Sequence, residues 1–152
     1  MKEHAGLRVG CGGITAKKEQ GTAGGGAEQR VGPALARLAA RGCQFVNFSP
    51  VRDNFDAPEG SVEWIPIRPN TDTAAMLALA CELVGAGRHD QAFLSKYCVG
   101  FDTCADYLLG RSDGIVKDAD WAAPIHGVPA DPLRRLPGEL AGTRPFCNVA
   151  WQ

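Results

Sequence analysis

The sequence predicts an α/β domain, because short apolar runs with strand character alternate with stretches of helical spacing. Cys43 to Phe48 is one such run and ends in Ser49-Pro50; Trp64 to Ile67 is a second and turns through Arg68-Pro69-Asn70. The stretch after that turn, opening at Asp72, carries the most strongly apolar helical pattern in the chain. Two strand ends and a helix N-terminus in this order suit an anionic or nucleotide ligand, since ligands of open α/β sheets sit outside the carboxyl ends of strands.

The elements follow in order. The first 44 residues contain no Phe, Tyr or Trp, and nine of the 19 glycines fall between Gly6 and Gly32. Such a composition buries little apolar area, so residues 1–27 are expected to be a flexible lead, with the folded domain spanning 28–152. Gly10-Cys-Gly-Gly-Ile-Thr lacks the Gly-Lys-Ser/Thr ending of a phosphate loop, and no G-x-G-x-x-G register fits. From Glu28, Val31, Leu35, Leu38 and Ala39 follow helical spacing up to a cap at Gly42. Pro66 inside the second apolar run points to an edge strand or a bulge.

A helix over about 72–86 is apolar nearly all round and therefore expected to be buried on most sides, ending at Gly85-Ala-Gly87. Asp90 caps a short helix through Tyr97; Phe101 to Leu109 is another; Asp118 caps a third that carries Trp121. A last helix starts near Ala130, and Pro137-Gly138 is expected to interrupt it before Leu140. Pro145 to Trp151 reads as a final strand with no following helix to cover it, as expected of part of a longer chain.

With 152 residues there is room for one domain. A net charge of −1 provides no basic field for nucleic acid or anionic lipid, and no apolar stretch is long enough to span a membrane. Met-Lys-Glu-His leads into no apolar signal segment, which points to the cytoplasm; a periplasmic place stays open for intact relatives. The six cysteines form no C-x-x-C and read as buried thiols; with three dispersed histidines (His4, His89, His126) they argue against a metal site.

Residues 44–152 resemble the molybdenum enzymes that use bis(molybdopterin guanine dinucleotide), and within them the biotin sulfoxide, dimethyl sulfoxide and trimethylamine N-oxide reductases. The resemblance is carried by Phe45-Val-Asn-Phe-Ser-Pro-Val-Arg52, Trp64-Ile-Pro-Ile-Arg-Pro-Asn-Thr-Asp72 and Met76-Leu-Ala-Leu-Ala80. It continues through Phe93-Leu-Ser-Lys-Tyr-Cys-Val-Gly-Phe101, Tyr107-Leu-Leu-Gly-Arg-Ser-Asp-Gly114, Lys117-Asp-Ala-Asp-Trp-Ala122 and the start of a segment at Asn148. Residues 1–27 carry no part of it.

The resemblance implies a Rossmann-like nucleotide-binding subdomain, part of a three-layer αβα arrangement, that contributes the guanosine seat of the cofactor. Ser49, Pro50, Arg52, Pro69, Asn70, Thr71 and Asp72 are the cofactor-binding residues it implies. Asp72 would accept both N1–H and N2–H of guanine, a pairing worth about 1–3 kcal/mol of discrimination. Ser49 would meet a ribose or phosphate, and Arg52 a phosphate. Local sequence alone favours reading Thr71 and Asp72 as an ordinary helix start and Cys98 as a packed thiol, and reads Arg52 equally well as a solvated loop arginine. The family's molybdenum ligand lies in a segment not found here, so no catalytic or metal residue is nominated. The implied partners are the molybdenum cofactor, an S- or N-oxide in the intact enzyme, and a complementing polypeptide. A free-standing guanine-nucleotide module, half of a split enzyme, and a non-functional remnant are the alternatives.

Overall fold

The computed structural model describes residues 5–14 and 31–149. Its elements run β1 (Leu7–Cys11), α1 (Val31–Ala40), β2 (Gln44–Phe48), β3 (Val62–Ile65), α2 (Asp72–Gly85), α3 (Gln91–Tyr97), α4 (Phe101–Leu108), α5 (Ala119–His126), α6 (Asp131–Gly142) and β4 (Pro145–Val149). The architecture is α/β with a four-stranded parallel sheet in the order β3-β2-β1-β4. The chain divides into two compact units, one comprising residues 1–69 with 143–152 and the other residues 70–142.

The first unit is the sheet. β1 lies between β2 and β4, with Leu7 opposite Gln44 on one side and Pro145 on the other. All five of its residues are buried. This corrects the expectation of a flexible lead over its first part: residues 7–11 form an interior strand, and Ile14 makes a further parallel bridge to Phe55. The remainder of that lead, from residue 15 onward, lies outside the described residues, as do the helix start at Glu28 and Trp151.

The strand was obscured by Arg8, which breaks the continuous apolar run of a buried parallel strand. Arg8 is only 5% exposed, and its guanidinium stacks 4.5 Å from the centre of the Phe146 ring on β4. Burial lowers its pKa. Helix α1 packs Leu35 and Leu38 against Phe45 and Phe55, and those two rings meet edge to face at 5.7 Å. Gly42, at φ +80°, ends the segment after α1 with its N–H donating to the Ala39 carbonyl. β3 is an edge strand ending just before Pro66, where a missing N–H costs the ladder nothing.

The second unit is helical. α2 packs against α4, α5 and α6 and buries Ala74, Ala75, Ala78 and Cys81. Small residues at these positions allow close helix approach. The Cys81 thiol donates to the Leu108 carbonyl, and the Glu82 carboxylate accepts from the Ala119 N–H at 3.4 Å. Asp90 and Asp118 cap α3 and α5 as expected, accepting from the Phe93 and Trp121 N–H groups.

Helix α6 departs from the sequence expectation, continuing through Pro137 to Gly142. Leu133 and Leu136 are fully buried and Pro137 is buried beside them. That burial outweighs the one backbone hydrogen bond proline removes. The cysteine expectation divides evenly: Cys11, Cys43 and Cys81 are buried, whereas Cys98, Cys104 and Cys147 are exposed. Cys98 terminates α3, a helix with no buried residue, and is itself exposed.

Among the described residues no helix is long and apolar enough to cross a membrane, and no group of three or more His, Cys, Asp or Glu side chains is placed to hold a metal ion.

Candidate functional site

In the sheet unit the carboxyl ends of β1, β2 and β3 lead into three adjoining turns. The turn after β1 contains Gly12 and Gly13 with consecutive positive φ values of 85° and 81°. The Gly12 N–H donates to the Phe48 carbonyl at 3.0 Å, and the Ile14 N–H to the Asn54 carbonyl at 2.8 Å. A β-carbon at Gly13 would lie 2.4 Å from that same Asn54 oxygen, so glycine is required there by both backbone and space.

Ser49, immediately after β2, has no exposed surface. Its N–H donates to the Ile65 carbonyl, and its own carbonyl accepts from the Trp64 indole at 2.8 Å. Its hydroxyl oxygen accepts from the Val51 N–H at 3.1 Å and from the Asn54 side-chain amide at 2.6 Å. Both acceptor positions of the hydroxyl are thus used inside the protein. Pro50 and Arg52 are exposed on the following turn, and the Arg52 guanidinium lies 5.7 Å from the Trp64 ring centre.

Beside this turn is a cavity of ≈ 690 Å³ whose walls include Arg52, Asp53, Asp56, Glu59 and Trp64. Its size falls within the usual range for small-molecule sites. Arg52 can pair with an anion, while the three carboxylates suit hydroxyl or amino groups. Pro69 is exposed and ends this unit.

The helical unit begins with the rest of the predicted set. Asn70 is exposed at φ +63°, a left-handed conformation that Asn tolerates better than most residues. Thr71 occupies the N-cap position of α2 and makes no side-chain cap. Asp72 is half-buried in the first turn, where a carboxylate is favoured by the helix dipole. The predicted residues therefore group as Ser49, Pro50, Arg52 and Pro69 on one unit, and Asn70, Thr71 and Asp72 on the other.

Sequence reasoning missed Gly12, Gly13, Asn47 and Asn54. The paired glycines were visible, but without β1 nothing marked them as a strand-end turn. Asn47 lies within the run Phe45–Arg52 and Asn54 just beyond it, but only the fold places the two side by side.

No family model matches the chain. A biotin sulfoxide reductase from Cereibacter sphaeroides is 41% identical over 152 residues, a match covering 99% of this chain and 20% of that protein. Over nearly its whole length the chain is similar to part of an S- or N-oxide reductase. It spans about a fifth of that relative's length. A trimethylamine-N-oxide reductase from Haemophilus influenzae is 43% identical over 91 residues, covering 60% of the chain and 11% of the relative. A dimethyl sulfoxide reductase from Escherichia coli is 42% identical over 103 residues, covering 59% and 13%.

Because the reductase match from C. sphaeroides takes in nearly the whole chain, it extends beyond residues 44–152, where the sequence resemblance was expected to stop. Among solved structures, acetylene hydratase from Pelobacter acetylenicus superposes with a TM-score of 0.68 at 20% identity, over 98% of this chain and 18% of its own. At that identity the likeness concerns the fold alone.

Proposed function

We propose that this chain supplies the guanosine-binding part of a bis(molybdopterin guanine dinucleotide) molybdenum site in a reductase acting on S- or N-oxides. The observation that carries the reading is 41% identity, across nearly all of the chain, to a protein named biotin sulfoxide reductase. The residues present suit a nucleotide group. Asp72 offers a carboxylate for the guanine edge, with the helix N-terminus behind it. Arg52 offers an exposed guanidinium for a phosphate beside an open cavity, and the acids of that cavity suit ribose hydroxyls. Pro50, Pro69 and Asn70 would shape the turns on which these groups stand, and Thr71 stands at the N-cap position of α2, next to Asp72.

Ser49 supports this reading through the loop it fixes, because its buried hydroxyl already holds Val51 and Asn54. When bound, the molybdenum and its dithiolenes would supply the oxygen-atom transfer. The chain's own residues would position the cofactor by its nucleotide end. A substrate oxide and the remaining reductase segments, on the same or a complementing polypeptide, complete the proposed system.

Isothermal titration with GMP and AMP tests the nucleotide part directly. GMP should bind at least about tenfold more tightly than AMP, and Asp72→Ala should abolish the difference. Equal affinity of the native chain for the two nucleotides overturns the assignment.

A further inference from the structure

We propose that Asn54 is the positioning residue of the strand-end turns, a clasp that locks the turn after β1 to the turn after β2. The proposal uses the nucleotide-seat reading only for its binding arm.

Asn54 engages three segments at once. Its side-chain oxygen accepts from the Asn47 amide of β2 at 2.9 Å, and its side-chain NH₂ donates to the Ser49 hydroxyl at 2.6 Å. Its backbone carbonyl accepts from the Ile14 N–H, and the Asp56 N–H returns a bond to the Ile14 carbonyl. Gly13 lies so close to Asn54 that no side chain could be added between them. The turn carrying Pro50 and Arg52 is therefore tied to the double-glycine turn through one residue.

Both side-chain partners of Asn54 are set deep. Asn47 and Ser49 have no exposed surface, and the Asn47 side-chain oxygen has no hydrogen-bond partner among the described residues. A buried amide left partly unsatisfied is costly. An apolar residue on β2 would avoid that cost, yet Asn47 aims its amide at Asn54 and so keeps the relay connected. Gly10 is also buried, and a β-carbon there would meet the Phe55 ring at 3.0 Å, which leaves the residue after Asn54 little room to shift. The clasp is thus backed by packing on one side and by hydrogen bonds on the other.

Asn54→Leu keeps the approximate side-chain size while removing both side-chain links; Asn54→Asp can accept from Asn47 and from the Ser49 hydroxyl, preserving a bridge. Amide exchange by NMR on the 152-residue chain should show Val51 and Ile14 exchanging about tenfold faster in Asn54→Leu, with Asn54→Asp restoring most of the protection. The GDP affinity of Asn54→Leu, measured by titration calorimetry, should fall about tenfold while its thermal transition stays cooperative. If Asn54→Leu does not fold, Asn54→Ser, too short to bridge Asn47 and Ser49, should give the same two changes.

Unchanged exchange at Val51 and Ile14 overturns the clasp, whatever happens to nucleotide binding. Faster exchange with native GDP affinity overturns the positioning role. If the native chain itself binds no GDP, the nucleotide-seat reading fails and the exchange arm alone decides the clasp, with loss in Leu and rescue in Asp as the supporting result.

Discussion

In the sheet unit, order comes from pairings between distant parts of the chain: Leu7 aligns with both Gln44 and Pro145. In the helical unit, much of the order is declared within a few residues. Asp90 and Asp118 cap the helices they precede, Gly127 at φ +79° ends α5, and Lys117 closes a turn only four residues from Asp113. The difference teaches where a local reading can succeed. A cap is a side chain and its own helix, whereas an interior parallel strand exists only when its neighbours on both sides are present.

The strongest way to break this comparison is a charge in the central strand. Val9 is 3% exposed, with β2 and β4 on its two sides. Val9→Asp places an unpaired carboxylate in that apolar site and should cost more than about 4 kcal/mol. Hydrogen exchange read by mass spectrometry should show residues 44–48 and 145–149 losing protection while 74–84 retain it. Equal loss in both sets would show that the units unfold together, and the contrast between them would not extend to stability.

The same contrast explains which parts of the molecule were legible in the sequence. The α/β character, the edge reading that Pro66 offered for β3 and the starts of α2, α3 and α5 follow from apolar runs, Pro66 and acids at helix starts. β1 was hidden because Leu7-Arg8-Val9-Gly10-Cys11 interrupts its apolar pattern with a buried cation and a glycine. The Arg8 charge is tolerated against Phe146, a residue near the other end of the chain. The continuity of α6 through Pro137 likewise depends on Leu133 and Leu136 finding buried positions in the helical unit. At the candidate site, Asp72 and Arg52 are nominated by residue type and motif. The Asn47–Asn54–Ser49 relay is not, since two asparagines acquire meaning only from being 2.9 Å apart.

A smaller effect sharpens the helical side of the comparison. Lys117 is 3% exposed; its ammonium donates to both Asp113 carboxylate oxygens and to the carbonyls of Tyr107 and Ile115. It also lies 4.2 Å from the Tyr107 ring centre and 5.9 Å from that of Trp121. The motif runs Tyr107–Gly114 and Lys117–Ala122 thus meet at one buried cation. Lys117→Met should lower unfolding free energy by about 1–3 kcal/mol, measured by urea titration at pH 7.

The hydrogen bond from Lys117, followed by that from the Ile115 N–H, holds the Asp113 carboxyl below the usual carboxylate range. A depressed acid adds stability above its unfolded-state pKa and loses it as pH falls through the folded value. Native stability should therefore decline on acidification below about pH 4, and Lys117→Met should flatten that decline. An acid limb of unchanged slope would remove Asp113 from the account.

The finest test compares two caps of similar geometry on helices of unequal burial. Asp90 accepts from the Phe93 N–H at 2.9 Å, and Asp118 from the Trp121 N–H at 2.8 Å. α3 buries none of its residues, while α5 buries Ala119, Ala122 and His126. His126 is tied in further, its Nδ1 accepting from the Val128 N–H at 3.0 Å. Fraying α5 exposes packed surface, so Asp118→Ala should cost about 1 kcal/mol of global stability, seen as a lower urea midpoint. Fraying α3 exposes almost nothing that was buried, so Asp90→Ala should leave the midpoint within about 0.5 kcal/mol and act only as faster exchange at Phe93 and Leu94. Equal midpoint shifts would mean that cap strength is set at the helix end itself, independent of what the helix packs against.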